Sequence, residues 1–392
     1  MTKTGSPNHA REVAWRVALS DVAIGEEERR AVLDVLESGW LSMGPVTERF
    51  ERAFAETVGA SEAVAVTNGT AALHLAAIAL GIGPGDEVIC PSLTFVASAA
   101  AMRQAGATVR FADSTSLDDF ALDPTEIERL VRSATKAVLV LHYGGHPADM
   151  VAIGELAAEH GLLVIEDAAH AVGAELDGRG CGTIGDAGCF SFFPNKNMTT
   201  GEGGMILFRD SEAAARARRL RSHAMTTLTW DRHRGHAASY DVVDLGFNYR
   251  IDELRAALGI VQLKRLDEFN RARSRFAQRY RERLAGDPRL TVPTLGARGR
   301  PASHLAPVLA RSRQVREGLR EHLRANAIQT SVHYPAVHRF SYYEAGAEPL
   351  PRAEEIADRV LTIPLHPKLD DVTVDRVCAA LLDGAGSASE DS

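Results

Sequence analysis

Lys196 places an amine between a strand-like apolar run, Cys189-Phe190-Ser191-Phe192-Phe193, and a turn-like run, Thr199-Thr200-Gly201-Glu202-Gly203-Gly204. That setting predicts a lysine at the end of a core strand, where loss of hydration lowers its proton affinity. Upstream, the apolar run Leu162-Leu163-Val164-Ile165 stops abruptly at Glu166-Asp167. The spacing puts a carboxylate at the tip of a neighbouring buried strand. An amine and a carboxylate at two strand ends are what pyridoxal phosphate (PLP) chemistry requires. The lysine forms a Schiff base with the cofactor, and the carboxylate holds the pyridinium nitrogen protonated. The freed amine then serves as general acid and base. Each residue also has a plainer role open to it: Lys196 as half of a structural ion pair, Asp167 as the cap of a helix beginning at Ala168.

A phosphate needs donors of its own, and Val66-Thr67-Asn68-Gly69-Thr70-Ala71-Ala72 offers them. A short strand turns through Asn-Gly and opens an alanine-rich helix, so free backbone N–H groups and the positive end of the helix dipole face the sheet's edge. The alternative is a tight turn with Thr70 as the helix cap. Gly180-Cys181-Gly182-Thr183-Ile184-Gly185 fits the dinucleotide fingerprint in letters but not in place. It stands well past the LLVI strand and leads into another strand, where the fingerprint should follow a strand and open a helix. No GxxxxGK[ST] is present.

These residues need a frame, and 392 residues suffice for two or three domains. The composition, 45% hydrophobic and 24% charged, is that of a globular protein. A net charge of −8 without a basic block argues against nucleic acid or an anionic membrane surface as partner. No apolar stretch reaches the roughly 20 residues of a membrane span, and MTKTGSPNHAREVAW lacks the apolar core of a secretory signal, so the expected location is cytoplasmic. Cys90, Cys181, Cys189 and Cys378 lack CxxC spacing and read as reduced buried thiols, with no metal site expected.

From about residue 63 to 208 short apolar runs alternate with helical patterns, which implies right-handed crossovers and a mainly parallel sheet with helices on both faces. Residues 252–284 read as one or two long helices, whose arginines at 271, 273, 275, 279, 281 and 283 read as a solvated face. The expected division is an N-terminal segment 1–30, a large PLP-binding α/β domain 31–265, a small C-terminal α+β domain 266–383 and a disordered tail 384–392.

Along nearly the whole chain six stretches occur in order: GWLSMGP at 39–45, NGTAALHL at 68–75, PSLTFVASA at 91–99, EDAAHAVGA at 166–174, FSFFPNKNMTTGEGG at 190–204 and GFNYRIDELRAALG at 246–259. Through them the chain resembles a DegT-type nucleotide-sugar aminotransferase, a fold type I PLP-dependent enzyme. The resemblance implies that Lys196 is the Schiff-base lysine, Asp167 the partner of the ring nitrogen and Phe95 a ring lying on the cofactor face. It also implies that Ser191, with the Gly69 and Thr70 backbone, holds the phosphate. Asn248 would reach the cofactor of a neighbouring subunit, making the active sites a shared product of a homodimer. His170, where many relatives carry glutamine, would lie beside the cofactor ring.

The implied substrates are a nucleotide-linked keto-sugar and glutamate, returned as 2-oxoglutarate. Thr199-Thr200-Gly201-Glu202-Gly203-Gly204 resembles the reading of relatives acting at C4, which points to a dTDP-4-keto-6-deoxyhexose; relatives acting at C3 tend to end in GDGG. His333, Tyr334 and His338 resemble a segment lining the sugar site, and Arg250 and Lys368 are cations that could meet a diphosphate. A sugar dehydratase of this fold would carry histidine in place of Lys196. A non-catalytic sensor on the same scaffold would lose Lys196 or Asp167, or add a DNA-binding segment. A 3-keto-sugar or cyclitol aminotransferase would use the same machinery.

Overall fold

The apolar runs of the first half of the chain fold as strands, being apolar on both sides and bounded by turn residues. The computed structural model describes residues 14–227, 230, 235, 239–296, 298–344 and 348–387. In chain order the strands are β1 Glu62–Val66, β2 Glu87–Pro91, β3 Thr108–Ala112, β4 Thr135–Leu141, β5 Leu163–Asp167, a small hairpin of β6 Glu175–Leu176 and β7 Arg179–Gly180, then β8 Ala187–Ser191 and β9 Gly204–Phe208. Seven of them make one sheet in the order β1-β9-β8-β5-β4-β2-β3. All run parallel except β9, which opposes both of its neighbours.

Helices cover the sheet: α1 Glu26–Ser38, α2 Pro45–Val58, α3 Gly69–Ala79, α4 Ala97–Gln104, α5 Pro124–Leu130, α6 Met150–His160 and α7 Ser211–Leu220. Of these α3 is buried nearly all round, as its alanine-rich sequence requires, and packs on β8 and β9 beneath α4 and α7. Among the described residues no helix is long and apolar enough to cross a membrane.

One helix, α8 Glu253–Leu284, spans the stretch expected to hold one or two. Its first half packs Ala256, Leu263 and Leu266 against the first sheet's surroundings, and its second half packs Phe276, Tyr280 and Leu284 into another core. The boundary expected at 265/266 falls inside it. That second core surrounds the antiparallel sheet β10 Leu290–Thr291, β11 Ala306–Ala310 and β12 Val360–Ile363, with α9 Arg313–Ala325, α10 Pro351–Arg359 and α11 Asp371–Ser387. Helix α11 continues past residue 384, where the tail was expected to begin, because Leu381 and Ala385 still have core to bury. Residues 388–392 lie outside the described residues.

The arginine face of α8 is solvated only in part. Arg279 and Arg283 both grip Asp375 of α11, whereas Arg273 is buried and donates to the carbonyls of Leu365 at 2.7 Å and His304 at 3.4 Å. A guanidinium carries enough donors to tie the helix to two chain segments beside the second sheet.

Helix α8 also fixes α2. Glu253, at the first position of α8 and 1% exposed, accepts hydrogen bonds from Gly44 N, Val46 N, Thr47 N and Thr47 Oγ1 at 2.7–2.9 Å. One carboxylate therefore satisfies donors at the start of α2 and pins the Gly39–Pro45 stretch to the Gly246–Gly259 stretch. Replacing it strands several buried donors at once. Glu253→Ala is expected to cost about 3 kcal/mol in urea unfolding; a loss below about 0.5 kcal/mol would contradict this role.

Candidate active site

At the carboxyl ends of β1, β4, β5 and β8 the sheet opens on a cavity of about 390 Å³, the place where open α/β sheets bind ligands. Its lining includes Asn68, Gly69, Thr70, Phe95, Asp167, His170, Ser191, Asn195, Lys196, Glu202, His333 and Tyr334. The strand register explains the gathering: Asp167 stands opposite Leu141 on one side and Cys189 on the other, and Ser191 lies opposite Gly204. Strand β8 ends at Ser191, so Lys196 stands in the loop beyond it, not at the strand's own end as the apolar run suggested. Phe192 N still bonds Gly203 O, one residue beyond the strand's end, and Phe193 is 46% exposed.

The loop carrying Lys196 is anchored by its neighbour. Asn197 is buried; its Nδ2 donates to Asn270 Oδ1 and Ala302 O, both at 2.7 Å, and its Oδ1 accepts from His304 Nδ1 at 2.9 Å. Desolvation lowers the Lys196 pKa to about 8, helped by the charge of Arg273 and opposed by Asp167. Asp167 is 4% exposed. Burial raises its pKa, against Ser98, the Ala169 N–H, Lys196 and His142, which favour the charged form.

Gly69 and Thr70 begin α3, and their N–H groups have no acceptor among the described residues. Asn68, not Thr70, is the cap: its Oδ1 accepts from Ala71 N at 2.8 Å. A Cβ on Gly69 would stand 2.8 Å from Ser191 Cβ, so only glycine lets the hydroxyl of Ser191 approach the helix start. His170 is held well below the ordinary histidine pKa, by burial first and then by Lys196. Its Nδ1 accepts from Gly144 N at 3.3 Å, so Nε2 carries the proton and donates to Tyr334 Oη at 2.9 Å. Tyr334 lies 5.9 Å, ring to ring, from both Phe95 and His170.

Four of the singled-out positions lie outside this cavity. His338 does not line the cavity; it is buried, with Nδ1 at 2.5 Å from Ser92 Oγ and Nε2 at 3.0 Å from Glu354 Oε1. Its loop-like sequence context concealed that both ring nitrogens are spent on structure. Asn248 is exposed, bridged to Ser222, and outside the cavity of its own chain. Lys368 pairs with Asp21, and Arg250 bonds Ser222 Oγ.

The glycines of the rejected fingerprint have a different task. Gly182, Ile184 and Gly185 turn their N–H groups onto the Glu166 carboxylate at 2.5–2.7 Å, and His142 Nε2 meets it at 2.8 Å. A Cβ on Gly182 would collide with Phe190. The loop is a nest for a buried carboxylate of the chain itself.

A description of the DegT/DnrJ/EryC1/StrS aminotransferase family matches residues 22–382. The chain belongs to that family. It is 42% identical over 369 residues to the spore coat polysaccharide biosynthesis protein SpsC of Bacillus subtilis (strain 168), covering 92% of this chain and 95% of that one. It is 38% identical over 368 residues to a dTDP-4-dehydro-2,3,6-trideoxy-D-glucose 4-aminotransferase of Saccharopolyspora spinosa, covering 92% and 94%. The crystal structure of the aminotransferase TlmJ from Streptoalloteichus hindustanus has a TM-score of 0.89 at 37% identity, covering 95% of this chain and 100% of that one. The protein is thus a PLP-dependent sugar aminotransferase of the DegT family.

The donor set of this family member fits PLP. A phosphate has two free amides and a hydroxyl at the start of α3, a ring nitrogen has Asp167, and an aldehyde has Lys196. Asn195 Oδ1, buried at the wall of the cavity, is left with no partner among the described residues, an acceptor awaiting a ligand donor. Ser98, Thr94, Asn195, Asn197 and His304 went unnoticed in the sequence. The first four sit inside the recognised stretches, and His304 carries no local signal.

With an amine pKa of about 8, Lys196 becomes a nucleophile as pH rises through that value. The rate of PLP capture by the cofactor-free protein, normalised to Nα-acetyl-lysine, is expected to level off above pH about 9. A rate still climbing toward the ordinary lysine pKa would contradict the lowered value.

Proposed function

We propose that the protein works in the cytoplasm as a homodimer with shared active sites, transferring the amino group of glutamate to the C4 ketone of a dTDP-4-keto-6-deoxyhexose. The observation that carries this reading is the convergence of Lys196, Asp167 and the bare amides of α3 on one cavity. Bound PLP supplies a carbonyl that joins amines and a ring that takes up an electron pair. The residues of the chain do the rest. Gly69 N, Thr70 N and Ser191 Oγ hold the phosphate, Asp167 keeps the ring nitrogen protonated, and Phe95 and His170 flank the ring. Lys196 Nζ, with its pKa near 8, takes the proton from the donor's α-carbon and returns one across the same short gap.

Glu202 is the residue of Thr199–Gly204 that lines the cavity. The threonines serve the turn: Thr199 Oγ1 donates to Phe192 O at 2.9 Å and Thr200 Oγ1 to Glu202 O at 2.6 Å. The leaning toward C4 therefore rests on Glu202, together with the printed activity of the Saccharopolyspora spinosa relative. His333 and Tyr334 line the same cavity and are the sugar contacts of this reading.

The dimer is supported by what the cavity lacks. Apart from its histidines, Lys196 is the one cationic side chain among the described lining residues, too little for a nucleoside diphosphate and a dicarboxylic donor. Leu245 is 85% exposed beside exposed Tyr240, Val242, Val243 and Asn248, an apolar rim suited to a second copy that would bring Asn248 to the neighbouring phosphate.

Incubation with dTDP-linked 3-keto and 4-keto sugars and glutamate should give aminated product and 2-oxoglutarate from the 4-keto sugar. Amination of the 3-keto sugar alone, or of neither, would contradict the assignment. In sedimentation velocity the protein should run as a dimer that Leu245→Glu converts to monomer; a monomeric wild type would end the shared-site reading.

A further inference from the structure

Buried acids seldom stay both charged and correctly aimed without partners, and the side-chain partner of Asp167 comes from the turn that opens α4. Ser98, on the first turn of α4 and fully buried, places Oγ at 2.6 Å from Asp167 Oδ2. The same Oγ lies 2.8 Å from Thr94 Oγ1, also buried. Donor direction follows from proton counting. An ionised carboxylate only accepts, so the single Ser98 proton points at Asp167, and Ser98 must accept the Thr94 proton. The result is a directed chain, Thr94 to Ser98 to Asp167, in which each bond polarises the next. On the other oxygen, Asp167 Oδ1 accepts from Ala169 N at 3.2 Å. Each carboxylate oxygen keeps a lone pair for a ligand N–H, but the plane of the group is fixed.

The turn that carries this chain is itself held at its far end. Ser92 Oγ bonds His338, which bonds Glu354 of α10. Between the two anchors stands Phe95, 55% exposed at the cavity wall. One segment, 92–98, therefore presents an aromatic face and orients the carboxylate.

We propose that Ser98, backed by Thr94, is a positioning residue for the transamination: it holds Asp167 ionised and aimed at the ring nitrogen of the cofactor. This rests on the reading of Asp167 as the partner of that nitrogen. Other groups facing the carboxylate do not substitute for Ser98. The Cys90 and Cys189 thiols are pushed up by burial, the Tyr334 phenol likewise, and His142 is spent on Glu166. Lys196 favours the charged form without a hydrogen bond that would orient it.

The test is binding, not turnover. Cofactor-free wild type, Ser98→Ala and Thr94→Val are titrated with PLP and with its 1-deaza analogue, whose ring has carbon where the nitrogen stands. Wild type should prefer PLP strongly; if it binds both equally, the reading of Asp167 itself fails. Given that preference, Ser98→Ala should weaken PLP about tenfold and leave the deaza analogue within about twofold, with Thr94→Val shifting the same way but less. Equal weakening of both ligands would mark Ser98 as merely structural and overturn the proposal, as would a preference unchanged in both variants.

Discussion

The parallel pairing of β5 with β8 is the constraint on which the rest depends. It sets Asp167 level with Cys189, two residues before β8 ends, and so fixes how far the chain must travel to return a lysine over the same opening. That return is the Phe192–Asn195 excursion, and Asn197 locks it by bonding both α8 and the segment leading into β11. A buried carboxylate and a desolvated amine would each be unfavourable alone. Facing one cavity, each eases the other's charged state, and a cationic ring nitrogen would ease Asp167 further.

Both cores of the molecule contribute to that cavity. Asp167, Ser191 and the α3 amides come from the first sheet, while His333 and Tyr334 arrive from the chain beside the second. The two are tied by buried His338, which bonds Ser92, and by Arg352 of α10, which pairs with Asp113 and Asp123. Such ties leave little freedom for the sugar side of the site to drift from the cofactor side.

Much of this was legible in the sequence because it follows from short-range rules. Apolar runs bounded by turn residues gave the strands, an Asn-Gly turn before alanines gave the start of α3, and an apolar run ending in an acid gave Asp167. What escaped was long-range. Whether a histidine faces a ligand or a distant partner depends on packing, and no local pattern marks His338 as bonding Ser92 or His304 as bonding Asn197. Arg273 carries the same letter as its solvated neighbours on α8, and only the second core decides that it is buried. The Gly180–Gly185 loop shows the converse: its context excluded a nucleotide, yet nothing local said that its amides serve Glu166.

Reduction with borohydride, followed by peptide mass mapping, tests the central pairing most directly, because it captures whichever amine the cofactor aldehyde occupies. The protein purified with PLP should carry the phosphopyridoxyl increment on the peptide containing Lys196, and lose that increment when Asp167→Ala empties the site. An increment on another lysine, or none on a protein that still transaminates, would contradict the account.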